Sequence, residues 1–392
     1  MEIGKLVLND SGEQKRQQMK QRLFREDIKK PEENLPDGCD IDLYSEGGDF
    51  YGRGFYSSCA PVAVRVISRG KKPIDRDFFS NRIQRALDYR EEVYSHHLSY
   101  RLINSAGDFL PGLIVDKYSD YLVVQIRNKA LQKRQEIILD LLEEKLNPTG
   151  IYARNDLEAR SIEGLKKYSG VLRGRKPPPR VEVKRKPYLV LTDIVKGQKT
   201  GYYLDQALNR RRVAKYSKNK KCVDCFSYAG GWGLACLHGG ADNVVFVDDS
   251  EHALDLVREN LRHNGWQSRA EVVCSDGFDY LNNTERDFEL IVLDPPSFAH
   301  SQNKLAAARR GYKEINLRAM NLLKPRGILA TSSCTSVVKG GDFQEIITES
   351  AHDAHVSFSI CEQHTQPADH RWPANLTSAS YLNSIFGEVY LP

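Results

Sequence analysis

Residues 222–250 constrain the fold more than any other stretch of this chain. Cys222-Val223-Asp224-Cys225 reads as an apolar strand that runs through Phe226-Ser227-Tyr228 into the turn Ala229-Gly230-Gly231-Trp232-Gly233, where a helix opens. A second apolar strand, Val244-Val245-Phe246-Val247, ends in Asp248-Asp249-Ser250. A strand, a glycine turn, a helix and a strand ending in an acid form one half of a ligand-binding parallel sheet. Glycines let the backbone approach a ligand, and an acid such as Asp248 can accept both hydroxyls of a ribose. The turn lacks the G-x-G-x-x-G pattern of a dinucleotide site. Glycine turns of this kind also occur for packing alone, so the stretch speaks first for a sheet and only then for a ligand.

The rest of the chain suits that frame. With 392 residues there is room for two or three domains, and 40% hydrophobic with 28% charged residues is the composition of a soluble globular protein. No apolar run approaches the roughly 20 residues of a membrane helix. The N-terminal residues have no apolar signal core, which speaks against secretion. Eight cysteines are scattered, several inside apolar strands, as expected of reduced thiols in a cytoplasmic protein. The net charge of +5 says little about a nucleic-acid partner; its distribution says more.

Taken in order, residues 1–70 predict a small β-barrel after a basic helical stretch at 15–25, with strands near 38–44, 52–56 and 60–67. Residues 71–186 predict a central α+β domain. There Asp77 is expected to cap a helix, strands fall near 99–103, 113–115 and 121–126, and one helix fits 131–146. The stretch 173–186 is basic, with Pro177-Pro178-Pro179 inside it, and reads as an exposed hairpin or linker. It serves either as a solvated loop or as a phosphate-contacting arm. Residues 187–392 alternate strands and helices, the pattern of a parallel sheet covered on both faces. The chain is thus α/β, with a Rossmann-like C-terminal sheet.

The chemistry-bearing motifs fall at predicted C-terminal strand ends, where such sheets bind ligands. Ser275-Asp276-Gly277-Phe278 offers an acid for an exocyclic amine and an aromatic face for stacking. Leu293-Asp294-Pro295-Pro296-Ser297-Phe298 is sharper. An acid followed by two prolines makes a stiff loop that presents acceptors and no backbone donors. Ser333-Cys334-Thr335 places a thiol at another strand end, where it is either a small buried side chain or a nucleophile toward an electron-poor carbon. The spacing Cys222-x-x-Cys225 is discounted as a metal or redox site, because positions i and i+3 of a strand face opposite ways. No metal is expected.

These residues resemble the RlmI-like class I S-adenosylmethionine-dependent methyltransferases, which make 5-methylcytosine in 23S ribosomal RNA. The resemblance runs over nearly the whole chain. It includes a PUA-like segment at 38–67 and a central-domain segment at 108–124. It also takes in Arg154, Asp156, Arg160, Glu163 and Gly164, the run Lys199-Thr200-Gly201-Tyr202-Tyr203-Leu204-Asp205-Gln206, and Arg310-Gly311-Tyr312. The chain departs from the family pattern at Ala207, Arg326, Ser336 and Val337.

The resemblance implies S-adenosylmethionine (SAM) as cofactor, held by Tyr203, Gln206, Phe226, Ser227, Tyr228, Gly230, Asp248, Ser250, Asp276, Gly277, Phe278 and Asp294. It implies Cys334 as nucleophile on C6 of a cytosine, with Asp294 on N3 and N4. Many RNA 5-methylcytosine enzymes carry a second cysteine where this chain has Ser297, so a one-cysteine arrangement is expected. Substrate contacts are expected from Pro295, Pro296, Ser297, Phe298, Arg210 and Arg310. Residues 209–221 hold seven lysines and arginines and no acid, a second phosphate-binding candidate. The implied partners are large-subunit ribosomal RNA, with its target base unstacked, and a second copy of the chain. Two rivals stay open: methylation of an exocyclic amine with Cys334 structural, and a non-catalytic RNA-binding assembly factor.

Overall fold

In the computed structural model, residues 3–29, 35–94, 99–185, 188–285, 287–299 and 302–390 are described. They form two compact units. One comprises Met1–Val181, Asp193–Gly201 and Ala368–Thr377, and the other Glu182–Thr192, Tyr202–Pro367 and Ser378–Pro392.

The second unit carries a seven-stranded sheet. Its strands are β1 (Lys221–Cys225), β2 (Asn243–Asp248), β3 (Ala270–Cys274), β4 (Phe288–Leu293), β5 (Leu323–Ser333), β6 (Ser357–His364) and β7 (Asn383–Tyr390). Their order is β3-β2-β1-β4-β5-β7-β6, parallel except for β7, which runs antiparallel to both neighbours. The order reverses between β1 and β4, and a ligand crevice opens at such a switch point. Helices α1 (Ala207–Val213), α2 (Gly231–His238), α3 (Glu251–Asn264), α4 (Gly277–Asn283), α5 (Leu305–Leu322) and α6 (Gly340–Asp353) accompany the sheet. Val223, Ile291, Leu293 and Leu329 of the central strands pack with Ile315 and Met320 of α5 and Phe343 and Ile346 of α6. Strands buried on both faces read as continuous apolar runs, which is why β1, β2 and β4 were legible.

The first unit carries two five-stranded sheets. One orders Gly4–Val7, Asp40–Tyr44, Phe50–Tyr56, Val62–Ser68 and Arg22–Phe24; the other orders Tyr168–Gly174, Gly150–Asn155, Tyr121–Ile126, Leu113–Tyr118 and Ser99–Asn104. Several expectations are corrected here. The basic stretch 15–25 is not one helix: the helix is Asp10–Gln17, capped by Asn9, and Arg22–Phe24 is a strand. The helix Arg76–Tyr94 is capped by Asp75, whose Oδ1 accepts from Phe78 N at 3.0 Å, so Asp77 lies within the first turn. The helix expected at 131–146 breaks at Arg134 into Lys129–Lys133 and Gln135–Leu146.

The segments Asp193–Gly201 and Ala368–Thr377 fold with this unit rather than with the residues around them. The reasons are specific bonds: Thr200 Oγ1 donates to Asp116 Oδ2 at 2.6 Å, and Asn104 Nδ2 donates to Arg371 O at 2.9 Å. Within 173–186, Arg173 is engaged by Glu136, Asp140 and Glu143, while Arg175 and Lys176 are exposed. The side chains of Lys184 and Arg185, and Lys186 itself, lie outside the described residues.

Candidate active site

Between β1 and α2 the backbone turns sharply. Phe226 (φ 64°), Tyr228 (φ 49°) and Gly230 (φ 79°) all take left-handed conformations, which cost free energy at the two aromatic residues. Strain of this kind clusters at ligand sites. Hydrogen bonds hold the turn in place. Asp248 Oδ2 accepts from Tyr228 N at 2.8 Å and its Oδ1 from Ser250 N at 3.1 Å. Burial raises the pKa of this carboxyl while those two backbone donors oppose the shift. Asn260 of α3, fully buried, donates to Ala229 O at 3.1 Å and also bonds both backbone groups of Leu191. Beneath the turn Asp224 Oδ2 accepts from Gly233 N at 2.7 Å, and burial pushes this carboxyl up to about 7.

Small residues are obligatory here. A Cβ on Gly233 would stand 2.2 Å from Phe246, and one on Gly231 2.5 Å from the Tyr202 hydroxyl. A Cβ on Gly277 would stand 2.5 Å from Phe226. The turn is also lined by buried polar atoms without a protein hydrogen-bond partner among the described residues, Ser227 Oγ and Asp224 Oδ1. A tightly packed, strained turn with such orphaned polar atoms and a ribose-type acid beside it fits an adenosyl cofactor. Asp276 is exposed and caps α4, its Oδ1 accepting from Phe278 N at 2.8 Å and Asp279 N at 3.1 Å. The cap fixes how the acid is presented at the end of β3. Ser250 Oγ caps α3 through Ala253 N. Phe226 meets Phe278 edge-on, a favoured geometry for aromatic pairs, with centroids 6.5 Å apart.

The loop after β4 carries Asp294, half-buried. Its Oδ1 accepts from Gln206 Nε2 at 2.8 Å and its Oδ2 from Trp232 Nε1 at 2.9 Å. Cys334, half-buried at the end of β5, lies with Sγ 3.6 Å from Pro295 O. Both loops are tied to one carbonyl: Ser297 Oγ and Thr335 Oγ1 each donate to Ala299 O at 2.7 Å. Tyr203 packs edge-on against Tyr228 at 5.6 Å, and burial, then the charges of Asp294 and Cys334, push its phenol far up. Phe298 sits tilted between Phe278 (5.9 Å) and Tyr312 (4.6 Å). Pro296 is exposed, as is Arg310 on α5.

Sequence reasoning named the acids and the thiol but not what holds them. Trp232, Asn209, Ser384 and Asp224 were not singled out. The available signal was Trp232, a donor-only indole set among glycines. Arg210, expected to face substrate, is instead buried. Its guanidinium lies 4.3 Å from the Tyr202 ring centroid and Nη1 donates to Tyr203 O at 2.9 Å. Of the basic residues at 209–221, Arg212 pairs with Glu362 and Lys221 with Asp287, leaving Arg211, Lys215 and Lys218 as the fully exposed ones. Cys222 and Cys225 have different neighbours, Lys220 O and Gly277 O.

Known proteins place this arrangement. Residues 182–381 match the S-adenosylmethionine-dependent methyltransferase family, and residues 6–69 match a PUA-like domain. In fold, a SAM-dependent methyltransferase from Streptococcus mutans superposes with a TM-score of 0.84 at 22% identity, over 98% of this chain and 100% of that one. SMU.776, a methyltransferase solved with SAH, gives 0.85 at 21% identity and the same coverage. Fold and site therefore define a SAM-dependent methyltransferase, and SAM is its cofactor. Ribosomal RNA large subunit methyltransferase I of Aliivibrio fischeri is 38% identical over 356 residues, 89% of this chain and 90% of that protein. The enzyme of the same name from Vibrio cholerae is 38% identical over 375 residues, 94% of each. The chain belongs to the family of ribosomal RNA large subunit methyltransferase I. Among the described residues no helix is long and apolar enough to cross a membrane.

Proposed function

We propose that the chain methylates C5 of a cytosine in large-subunit ribosomal RNA, with Cys334 as nucleophile and Asp294 as the group that grips the base. The observation that carries this reading is the 3.6 Å approach of Cys334 Sγ to Pro295 O, which puts a thiol against the loop that presents Asp294. C5 of cytosine is unreactive until a nucleophile adds to C6, whereas an exocyclic amine needs no such help. A thiol beside the acid is therefore meaningful for the first chemistry and idle in the second.

In this reading the Cys334 thiolate adds to C6 while N3 takes up a proton from solvent, and the Asp294 carboxylate accepts from N4–H and from the N3–H so formed, which stabilises the protonated ring. SAM, when bound, supplies the electrophilic methyl group that the activated C5 takes. Loss of the C5 and N3 protons to solvent, with elimination of Cys334 from C6, then restores the aromatic base and the thiolate. Asp248 would hold the ribose of the cofactor, and Asp276 with Phe278 its adenine. Tyr203, Phe226, Ser227, Tyr228, Gly230, Ser250 and Gly277 complete that binding surface. Phe298, Pro296 and Arg310 would face the RNA, with Arg211, Lys215 and Lys218 on its phosphates.

The base must leave its stack to reach Cys334. The reading places the enzyme in the cytoplasm with the ribosome, and the family resemblance implies a homodimer. The test is Cys334→Ala assayed for methyl transfer to unmodified large-subunit RNA. The reading requires loss of transfer with SAM binding retained; full transfer by the variant would leave the exocyclic-amine chemistry standing.

A further inference from the structure

Asp294 is not simply an acid at a strand end. Each of its oxygens receives an N–H from this chain, Gln206 Nε2 at 2.8 Å and Trp232 Nε1 at 2.9 Å. Both donors are themselves fixed. Asn209 Nδ2 donates to Gln206 Oε1 at 2.7 Å and to Ser384 Oγ at 2.9 Å, and Ser384 Oγ lies 2.6 Å from Ser332 Oγ on β5. Because Gln206 Oε1 is taken by an amide donor, the Gln206 amide can turn only its NH2 toward Asp294. The Trp232 indole, 2% exposed, packs on Phe386 of β7 with centroids 6.2 Å apart, so it cannot swing away. An indole N–H donates and never accepts, so its contact favours Asp294 as a carboxylate. The chain from Gln206 ends at Ser332, two residues before Cys334.

We propose that Trp232 and Gln206 are positioning residues: they clamp the Asp294 carboxylate and, through Asn209 and Ser384, register it against the strand that carries Cys334. The clamp fixes the plane and position of the carboxylate that is to meet the base. It works on the reacting complex and not on the affinity for either substrate, so Gln206, expected from the resemblance to hold SAM, acts here on Asp294 instead. This inference rests on the assignment of Asp294 to the reaction.

The test is Trp232→Phe, which keeps an aromatic ring and deletes the donor, with Gln206→Met deleting the other donor. Steady-state transfer to large-subunit RNA is scored as total methyl incorporated, alongside thermal unfolding. The proposal expects kcat to fall roughly 10- to 100-fold, as for loss of a hydrogen bond to a charged group and misplacement of a reacting group. KM for SAM and for RNA should stay within about threefold of wild type, and the melting temperature within about 4 °C, as for a small stability change. A kcat within about twofold of wild type in both variants overturns it. So does a loss of kcat accompanied by larger shifts in KM or melting temperature, which marks a structural or cofactor-binding role. Should wild type methylate a base other than cytosine, the cytosine assignment fails while the clamp is still decided by the same numbers. Absence of any transfer by wild type overturns both.

Discussion

Cys334 Sγ lies 3.6 Å from the carbonyl oxygen of Pro295, so its S–H donates to the loop that carries Asp294. Proline keeps its carbonyl as an acceptor while lacking an N–H, and a stiff Pro-Pro segment holds that acceptor in place. The thiol proposed as nucleophile and the acid proposed to grip the base are thereby positioned by one loop.

Asp294→Asn keeps the shape of the side chain but replaces one acceptor oxygen with a donor amide. That amide would face a donor already in place, either Gln206 Nε2 or Trp232 Nε1. We expect kcat to fall by about 10²–10³-fold, the usual scale for losing an electrostatic stabiliser of developing charge. Single-turnover methyl transfer to unmodified large-subunit RNA measures it. A loss confined to KM for SAM would assign Asp294 to cofactor binding alone.

Gly233→Ala sets helix propensity against packing. Alanine gains up to about 1 kcal/mol inside a helix. Its Cβ, however, would stand 2.2 Å from Phe246, a fully buried ring on β2. Overpacking of this kind costs roughly 1–3 kcal/mol, and displacement of the strained turn adds to it. The variant should unfold at lower urea and bind SAM more weakly by calorimetry. Unchanged SAM affinity would mean that the turn tolerates displacement.

Asp224 gives stability a pH dependence. Burial raises its carboxyl from 3.8 to about 7 in the folded chain. Folded protein therefore holds this proton where unfolded protein has released it. The contribution is fully present below the unfolded value and is lost as pH rises through the folded one. Between about pH 4 and 7, wild type should lose on the order of 1 kcal/mol per pH unit relative to Asp224→Asn, and nothing further above that range. Urea unfolding of both proteins without SAM checks this; parallel curves would show that Asp224 is ionised in the fold throughout.

Arg211, Lys215 and Lys218 are exposed, while Arg210, Arg212 and Lys221 are engaged within the chain. Changing the exposed three to glutamine should weaken RNA binding and flatten its salt dependence, by up to about 0.7–0.9 in log–log slope for each phosphate that is no longer neutralised. Filter binding across a salt series reads this. An unchanged slope would mean that other cations neutralise the phosphates.

Much of the site was legible because its parts are local. Asp248, Asp294 and Cys334 end apolar strands, and a strand buried on both faces announces where it stops. The glycines at 230–233 were equally visible. What stayed hidden depends on residues far apart in sequence. Nothing near Asn209 indicates that it will join Gln206 to Ser384, 175 residues on. Charge runs misled in the other direction: Arg210 and Arg173 read as surface cations, yet one stacks on Tyr202 and the other is held by three acids. The helices capped by Asn9 and Asp75 were misplaced because several polar residues nearby could cap equally well, and tertiary context chose among them.

The central claim is that Cys334 forms a covalent bond to C6 of its target cytosine. Incubation of the protein and SAM with large-subunit RNA carrying 5-fluorocytosine tests it directly, because fluorine blocks the loss from C5 that releases the enzyme. The account predicts a denaturation-resistant protein–RNA adduct with wild type, mapping to Cys334 by mass spectrometry, and none with Cys334→Ala. Efficient methylation of normal RNA by wild type with no adduct on the fluorinated RNA would contradict it.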